Sequence, residues 1–337
     1  MGYCLNRRAP EASDTQSERY EMTEFSEIPV IDITGLTDTP SDDLVAQFRK
    51  AYGETGFGYI TGHGIDQDLI DAVFEASAQF HALPTAQKQA LALNTGHRGY
   101  IAINTSTDVN SAHAKVTKPN QSASLMMLRE DAVQDPYVYL SGPNQWPDLD
   151  GFRDLMLRYK AEMSDLGRRL MRLAVLAAGA DPEPVLRDGF DTPTTWLRLL
   201  HYPPTDPLGP DDLFGSAPHN DFGCLTLLAQ DGIGGLQVKT PAGNWVDAPK
   251  IDGSFVVNVG DMLHRMSNGR LLSTPHRVIN RSGRERYSVP FFFDPNVSYD
   301  IAPLPGTGDA QFETQTFGDF LRSELEAGYE AHKAETT

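Results

Sequence analysis

The chain of 337 residues has only two cysteines, Cys4 and Cys224. Two thiols cannot build a disulfide framework, and they suit a reducing, cytoplasmic setting. No run of 18 apolar residues exists, so no membrane-spanning helix is expected. The opening stretch, "MGYCLNRRAPEASDTQSERYEMTEFSE", lacks the apolar core of a signal peptide, and Arg7-Arg8 is not an export signal for the same reason. Basic residues are scarce: the net charge is −18. Nucleic acid and anionic membrane both require a basic face, so neither is expected as a partner. Internal repeats and low-complexity blocks are also missing.

What remains is an ordinary globular composition, with 40% apolar and 22% charged residues and material for a sizeable core. Residues 1–25 read as a mobile polar tail, and residues 26–335 as one domain. Within it, residues 26–190 form a mainly helical support region. "IPVIDITG" (28–35) and "GFGYITGHGI" read as strands. A helix capped by Ser41 carries apolar residues at Leu44, Val45, Phe48 and Tyr52. A second helix ends at Pro84, residues 94–148 are irregular, and an amphipathic helix runs from Phe152 to Ala178. After Asp191 short β-rich runs alternate with turn signals such as Asp231-Gly232, Asp252-Gly253 and Asn268-Gly269. This rhythm predicts a jelly roll over 192–297, followed by a helix over 317–332. The fold class is therefore mixed α/β (α+β), a β core buttressed by helices.

One short stretch, "APHNDFG", sets His219 and Asp221 two apart. On a strand both would face the same way. With 9 histidines and 30 aspartates, random placement alone yields about one such pair, and the chain has one. The pair gains meaning only with a third ligand. Two histidines and one carboxylate make the face that holds non-haem iron(II) and leaves open positions. Three other histidines fall in the β core: His201, His264 and His276. His276 lies in "STPHRVIN", a strand-like run 55 residues after Asp221. Ten residues later, "RYSVPFFF" places Arg286 and Ser288 on one strand face. A guanidinium and a hydroxyl so placed can grip a carboxylate.

Taken in order, "IPVIDITG", "GFGYITGHGI", "GPNQWP", "HYPP", "PHNDFGCLTLLAQDGIGGLQV", "VNVGDMLHRMSNGRLLSTPHRV" and "RYSVPFFFDP" resemble the isopenicillin N synthase-like branch of the iron(II)/2-oxoglutarate dioxygenases. The resemblance spans almost the whole chain. It implies a double-stranded β-helix core, His219, Asp221 and His276 as iron ligands, and Arg286 with Ser288 as the clamp for the distal carboxylate of 2-oxoglutarate. Tyr202 of "HYPP" matches a tyrosine that adds a hydrogen bond to that cosubstrate. Leu200 departs from the pattern, since many relatives, especially from plants, carry asparagine there. The implied reaction uses Fe(II) as its metal cofactor and spends 2-oxoglutarate and O2 on oxidising a small molecule, most simply by hydroxylation, with succinate and carbon dioxide released. Desaturation, ring closure and demethylation belong to the same chemistry. Asp221 argues against halogenation, because halogenating relatives lack that carboxylate. Two alternatives are a 2-oxoglutarate-independent oxidase of the same fold and a non-catalytic jelly-roll binding protein. A monomer is the default expectation.

Strand parity puts Trp196, Arg198, Leu200 and Tyr202 on one face, so Arg198 is a candidate substrate contact. Phe292 shares parity with Arg286 and Ser288 and is a second. Phe291 and Phe293 read as core. His201 is expected outside the cavity, His63 at a turn and His264 in a hairpin. The Met126-Met127 pair reads as structural, Lys115 and Lys118 as surface.

Overall fold

Strand β1 (Val30–Asp32) and strand β2 (Phe57–Thr61) flank helix α1 (Asp42–Glu54). The Ser41 hydroxyl accepts from the Leu44 amide at 3.2 Å and starts that helix. Asp66 caps α2 (Gln67–Ala82) in the same way. A short α3 (Thr85–Gln89) follows, then β3 (Gly99–Ile101) and β4 (Ala123–Met127), α4 (Phe152–Ala177) and α5 (Pro182–Asp188). The β-rich half comprises β5 (Thr194–Tyr202), β6 (Ser216–His219), β7 (Leu225–Gln230), β8 (Leu236–Lys239), β9 (Trp245–Asp247) and β10 (Ser254–Val259). After α6 (Asp261–Met266) come β11 (His276–Val278), β12 (Arg286–Asp294), β13 (Asp300–Ile301), β14 (Gln315–Thr316) and α7 (Phe317–Gly328). This computed structural model describes residues 24–106, 113, 116, 118–135, 138–210 and 212–328. The expected polar tail, apart from its last two residues, lies outside them, as do Lys115 and the end of the last helix.

Two sheets face each other as a jelly roll. The larger has the order β1-β2-β10-β7-β12-β5-β4-β3, the smaller β6-β11-β8-β9. Among the named strands of the described residues, every pairing is antiparallel except β1 with β2. Alternation along the strands divides the apolar side chains between two cores. Phe57, Tyr59, Val256, Tyr202, Leu236 and Val238 turn inward between the sheets. Ile60, Phe255, Val257 and Phe291 turn outward, against the helices. The stripe Met156, Tyr159, Met163, Leu166 and Leu170 of α4 is fully buried there. Gly167 lets that helix come close, because a Cβ at this position would stand 2.7 Å from the Phe293 ring.

Two expectations need correction. The 94–148 segment is not wholly irregular: β3 and β4 add two strands to the large sheet beside β5. Their apolar runs are too short and too nearly all buried to show a two-residue alternation in sequence. His264 lies on α6 and not in a hairpin. Its Nδ1 sits 2.7 Å from the Leu271 carbonyl oxygen.

Candidate active site between the two sheets

The space between the sheets contains a cavity of about 240 Å³. At its small-sheet wall His219 ends β6 and His276 opens β11, and the two are paired directly across the ladder. Asp221 is not on a strand, contrary to the parity expectation. The strand stops at His219, and the chain bends back so that the carboxylate returns to the histidines. The His219 and His276 Nε2 atoms lie 3.6 and 3.8 Å from Asp221 Oδ1. All three ligand atoms fall within 4.8 Å of one another.

The surroundings aim these atoms at a common point. His219 Nδ1–H donates to the Ala217 carbonyl oxygen at 2.7 Å, which puts the lone pair on Nε2, the atom beside Asp221. His276 Nδ1 faces the Thr274 carbonyl at 3.4 Å. Asp221 Oδ2 accepts from the Thr226 hydroxyl at 2.6 Å and from Asn258 Nδ2 at 2.7 Å, so Oδ1 alone is left for an ion. Burial, then the neighbouring His219 ring, lower the His276 pKa to about 4, so its imidazole is neutral near pH 7. Burial opposes the charge on Asp221, but His276, His219 and the Asn258 hydrogen bond prevail and hold it well below the usual carboxylate range. Two imidazoles and one carboxylate, each oriented through its other polar atom, fit iron(II).

In the lining of the same cavity, Arg286 is completely buried. Its Nε donates to the Gly234 carbonyl at 2.6 Å, and its Nη atoms reach Ser288 Oγ and Gln230 Oε1 at 3.3 Å. Tyr202, its neighbour across the β5–β12 ladder, sets its ring 4.5 Å beneath the guanidinium. Among the described residues no carboxylate pairs with Arg286. A buried cation without an acid is costly unless an anion arrives from outside. The arrangement could accept a carboxylate.

Arg286, Ser288, Pro290, Phe292 and Asp294 all line the cavity, as do Trp196, Arg198, Leu200 and Tyr202, as the alternation of β12 and β5 predicts. Arg198 Nη2 donates to Ser124 Oγ at 2.9 Å. Leu200, opposite Ser288, gives an apolar wall in place of a hydrogen-bonding one. His201 points the other way, stacked on Tyr287 at 4.9 Å. His63 Nδ1 accepts from the Ile65 amide and holds a turn. Lys118 pairs with Asp212 at the surface. Met126, expected to be structural alone, also borders the cavity.

Sequence reasoning passed over four groups. Asn258 and Thr226 fix Asp221, Gln230 holds Arg286, and α7 closes one side of the cavity with Phe317, Leu321, Glu324 and Leu325. A signal existed for Asn258, a lone polar residue inside the apolar run "FVVNVG".

Residues 193–295 match the 2OG-Fe(II) oxygenase superfamily, and residues 28–149 match the family described as non-haem dioxygenase in morphine synthesis N-terminal. The chain is 37% identical to the 2-oxoglutarate-Fe(II) type oxidoreductase hxnY of Emericella nidulans, covering 91% of this chain and 93% of that one. It is 33% identical to an Arabidopsis thaliana homoarginine-6-hydroxylase, over 91% of this chain and 99% of the relative. Among solved structures, a full-length Neurospora crassa protein in complex with alpha-KG and thymine superposes with a TM-score of 0.78. It is 31% identical, with 89% of this chain and 96% of that chain covered. The chain belongs to the 2OG-Fe(II) oxygenase superfamily. It is an iron(II)- and 2-oxoglutarate-dependent dioxygenase that oxidises a small organic substrate with O2 and yields succinate and carbon dioxide. No helix among the described residues is long and apolar enough to cross a membrane.

Proposed function

We propose that His219, Asp221 and His276 hold the iron(II), and that Arg286 and Ser288, with Tyr202 beside them, seat the distal carboxylate of 2-oxoglutarate. The observation that carries this reading is the buried Arg286, which has no acid partner among the described residues and faces the same cavity as the His-Asp-His cluster. Iron(II) held by His219, Asp221 and His276 would supply open positions for the 2-oxo acid and for dioxygen. The protein does the rest. Arg286 offers two parallel N–H groups to one carboxylate and so fixes where the cosubstrate ends. The Tyr202 ring beneath the guanidinium keeps it from swinging away. Asn258 and Thr226 hold Asp221 in one rotamer, and the apolar walls Leu200, Leu228 and Val278 exclude water from the reacting centre. Arg198 and Phe292 are the substrate contacts, because they border the remaining cavity without being consumed by the cosubstrate seat.

The order of the motifs and the match in both halves support assignment to the isopenicillin N synthase-like branch, with hydroxylation as the reaction. They also support a single oxygenase domain over 26–335, with its catalytic core at 192–297. We assign the chain as a monomer working in the cytoplasm, where Cys224, free and buried, stays reduced. Anaerobic addition of iron(II) and 2-oxoglutarate is expected to give a weak visible charge-transfer band, and oxygen should then release succinate. The reading fails if no band appears and His219→Ala alters nothing.

The hydrogen bonds to Asp221 make a separate test. Thr226→Val keeps the shape and removes one donor. Changes to such outer partners of metal ligands cost about 10–100-fold in metal affinity or activity. Iron affinity measured by anaerobic titration should fall in that range, with the circular dichroism spectrum unchanged.

A further inference from the structure

Helix α7 presents Phe317, Leu321 and Leu325 to the cavity, an apolar stripe one helical turn apart. Glu324 lies on the same side, lines the same cavity, and pairs with no cation among the described residues. Burial, then the nearby Asp261, raise its pKa. Glu324 is thus a half-buried carboxylate set among apolar side chains and facing a cavity, placed to meet a ligand cation. On the strand wall of the same cavity stands Arg198. Its Nη2 reaches only the neutral Ser124, its Nε is buried without a partner, and no acid answers it among the described residues. Arg198 is four residues along β5 from Tyr202, roughly 13 Å at the rise of a strand. It is therefore well removed from the Arg286 seat. One cavity thus carries two opposite charges that do not pair with each other.

Asp294 borders the cavity too, but its Oδ1 accepts from the Cys224 amide at 2.6 Å, and burial raises its pKa to about 7. Glu324 is the acid left free for a ligand.

We propose that the substrate is a small dipolar molecule whose anionic group is read by Arg198 and whose ammonium or guanidinium group is read by Glu324. This rests on the iron and 2-oxoglutarate seats assigned above, which leave the space between these two side chains for the substrate. Each charged contact is a specificity element and neither touches the metal cluster.

The test is calorimetric titration of the protein loaded with manganese(II) and 2-oxoglutarate, which reads binding and not turnover. The probes are L-arginine and L-lysine, with agmatine as the cation-only control, hexanoate as the anion-only control and thymine as the uncharged one. A charge-assisted contact is worth about tenfold or more in affinity. At least one dipolar probe should therefore bind about tenfold tighter than any control. Glu324→Gln should remove that advantage and leave hexanoate binding unchanged, whereas Arg198→Met should leave agmatine unchanged and weaken the dipolar probe. The proposal is overturned if no dipolar probe binds, if hexanoate or thymine binds as well, or if Glu324→Gln leaves the dipolar affinity intact. Succinate release measured on the iron-loaded protein without probe reports the oxygenase reading separately. Succinate without dipolar preference sinks this proposal alone; absence of succinate sinks the seats on which it rests, and the proposal falls with them.

Discussion

His276→Ala is expected to reduce oxygen-dependent succinate release on the order of 10³-fold, with a matching loss of iron stoichiometry. Partners that merely orient a metal ligand are worth about 10–100-fold. Loss of the ligand itself removes one of three bonds and the geometry it enforces. His276 is the informative position because the other two proposed ligands are near neighbours in sequence, and the β6–β11 pairing brings His276 to them. The imidazole packs edge-on against Phe57 at 5.3 Å, so the alanine variant leaves a small void and some lost stability. Melting temperature must therefore be measured beside activity. A variant that melts near the parent, binds no iron and makes no succinate is the expected outcome. One that retains iron in full would show that His276 only packs there.

How much of this could be read from the chain depends on the range over which each signal acts. Arg286 and Ser288, or Trp196, Arg198, Leu200 and Tyr202, lie on single strands, and a two-residue period survives in sequence. Their shared face emerged as expected. His219 and Asp221 are two apart for a different reason from the one their spacing suggests: a bend after β6 and not a strand brings them together. Composition alone made the pair worth nothing, and only the ordered motifs around it gave it weight. Roles set by distant partners left little trace. Gln230 reaches Arg286 because β7 and β12 are neighbours in the sheet. Glu324 meets the cavity because α7 folds back over it, and no local pattern encodes that return. Strands β3 and β4 were hidden among Asn, Ser and Gly, whose turn preference masked two short runs that owe their form to β5.

Arg286→Met separates a seat for 2-oxoglutarate from a structural arginine. Methionine keeps much of the volume and removes the charge. Without the bidentate pair, the dissociation constant for 2-oxoglutarate is expected to rise about 100-fold, since hydrogen bonds to charged groups contribute about 1.5–3 kcal/mol each. Stability without cosubstrate pulls two ways. The variant leaves the Gly234 carbonyl and the Gln230 side chain without their donor, a cost of about 1–3 kcal/mol each. It also relieves a fully buried cation that has no acid, which is worth several kcal/mol in return. The two nearly cancel, so the bare melting temperature decides little. Ligand linkage decides more. At a 2-oxoglutarate concentration about 100 times the parent's dissociation constant, binding adds about 2.7 kcal/mol to the parent's stability. With affinity about 100-fold weaker, the same concentration adds only about 0.4 kcal/mol to the variant. Thermal unfolding with and without 2-oxoglutarate, both proteins holding manganese(II), reads this difference directly. Arg286→Lys should fall between them, because an ammonium keeps the charge but not the fork. If Arg286→Met keeps the full cosubstrate-induced shift and only lowers the bare melting temperature, the guanidinium is a brace between β12 and the 231–235 turn, and the dicarboxylate binds elsewhere.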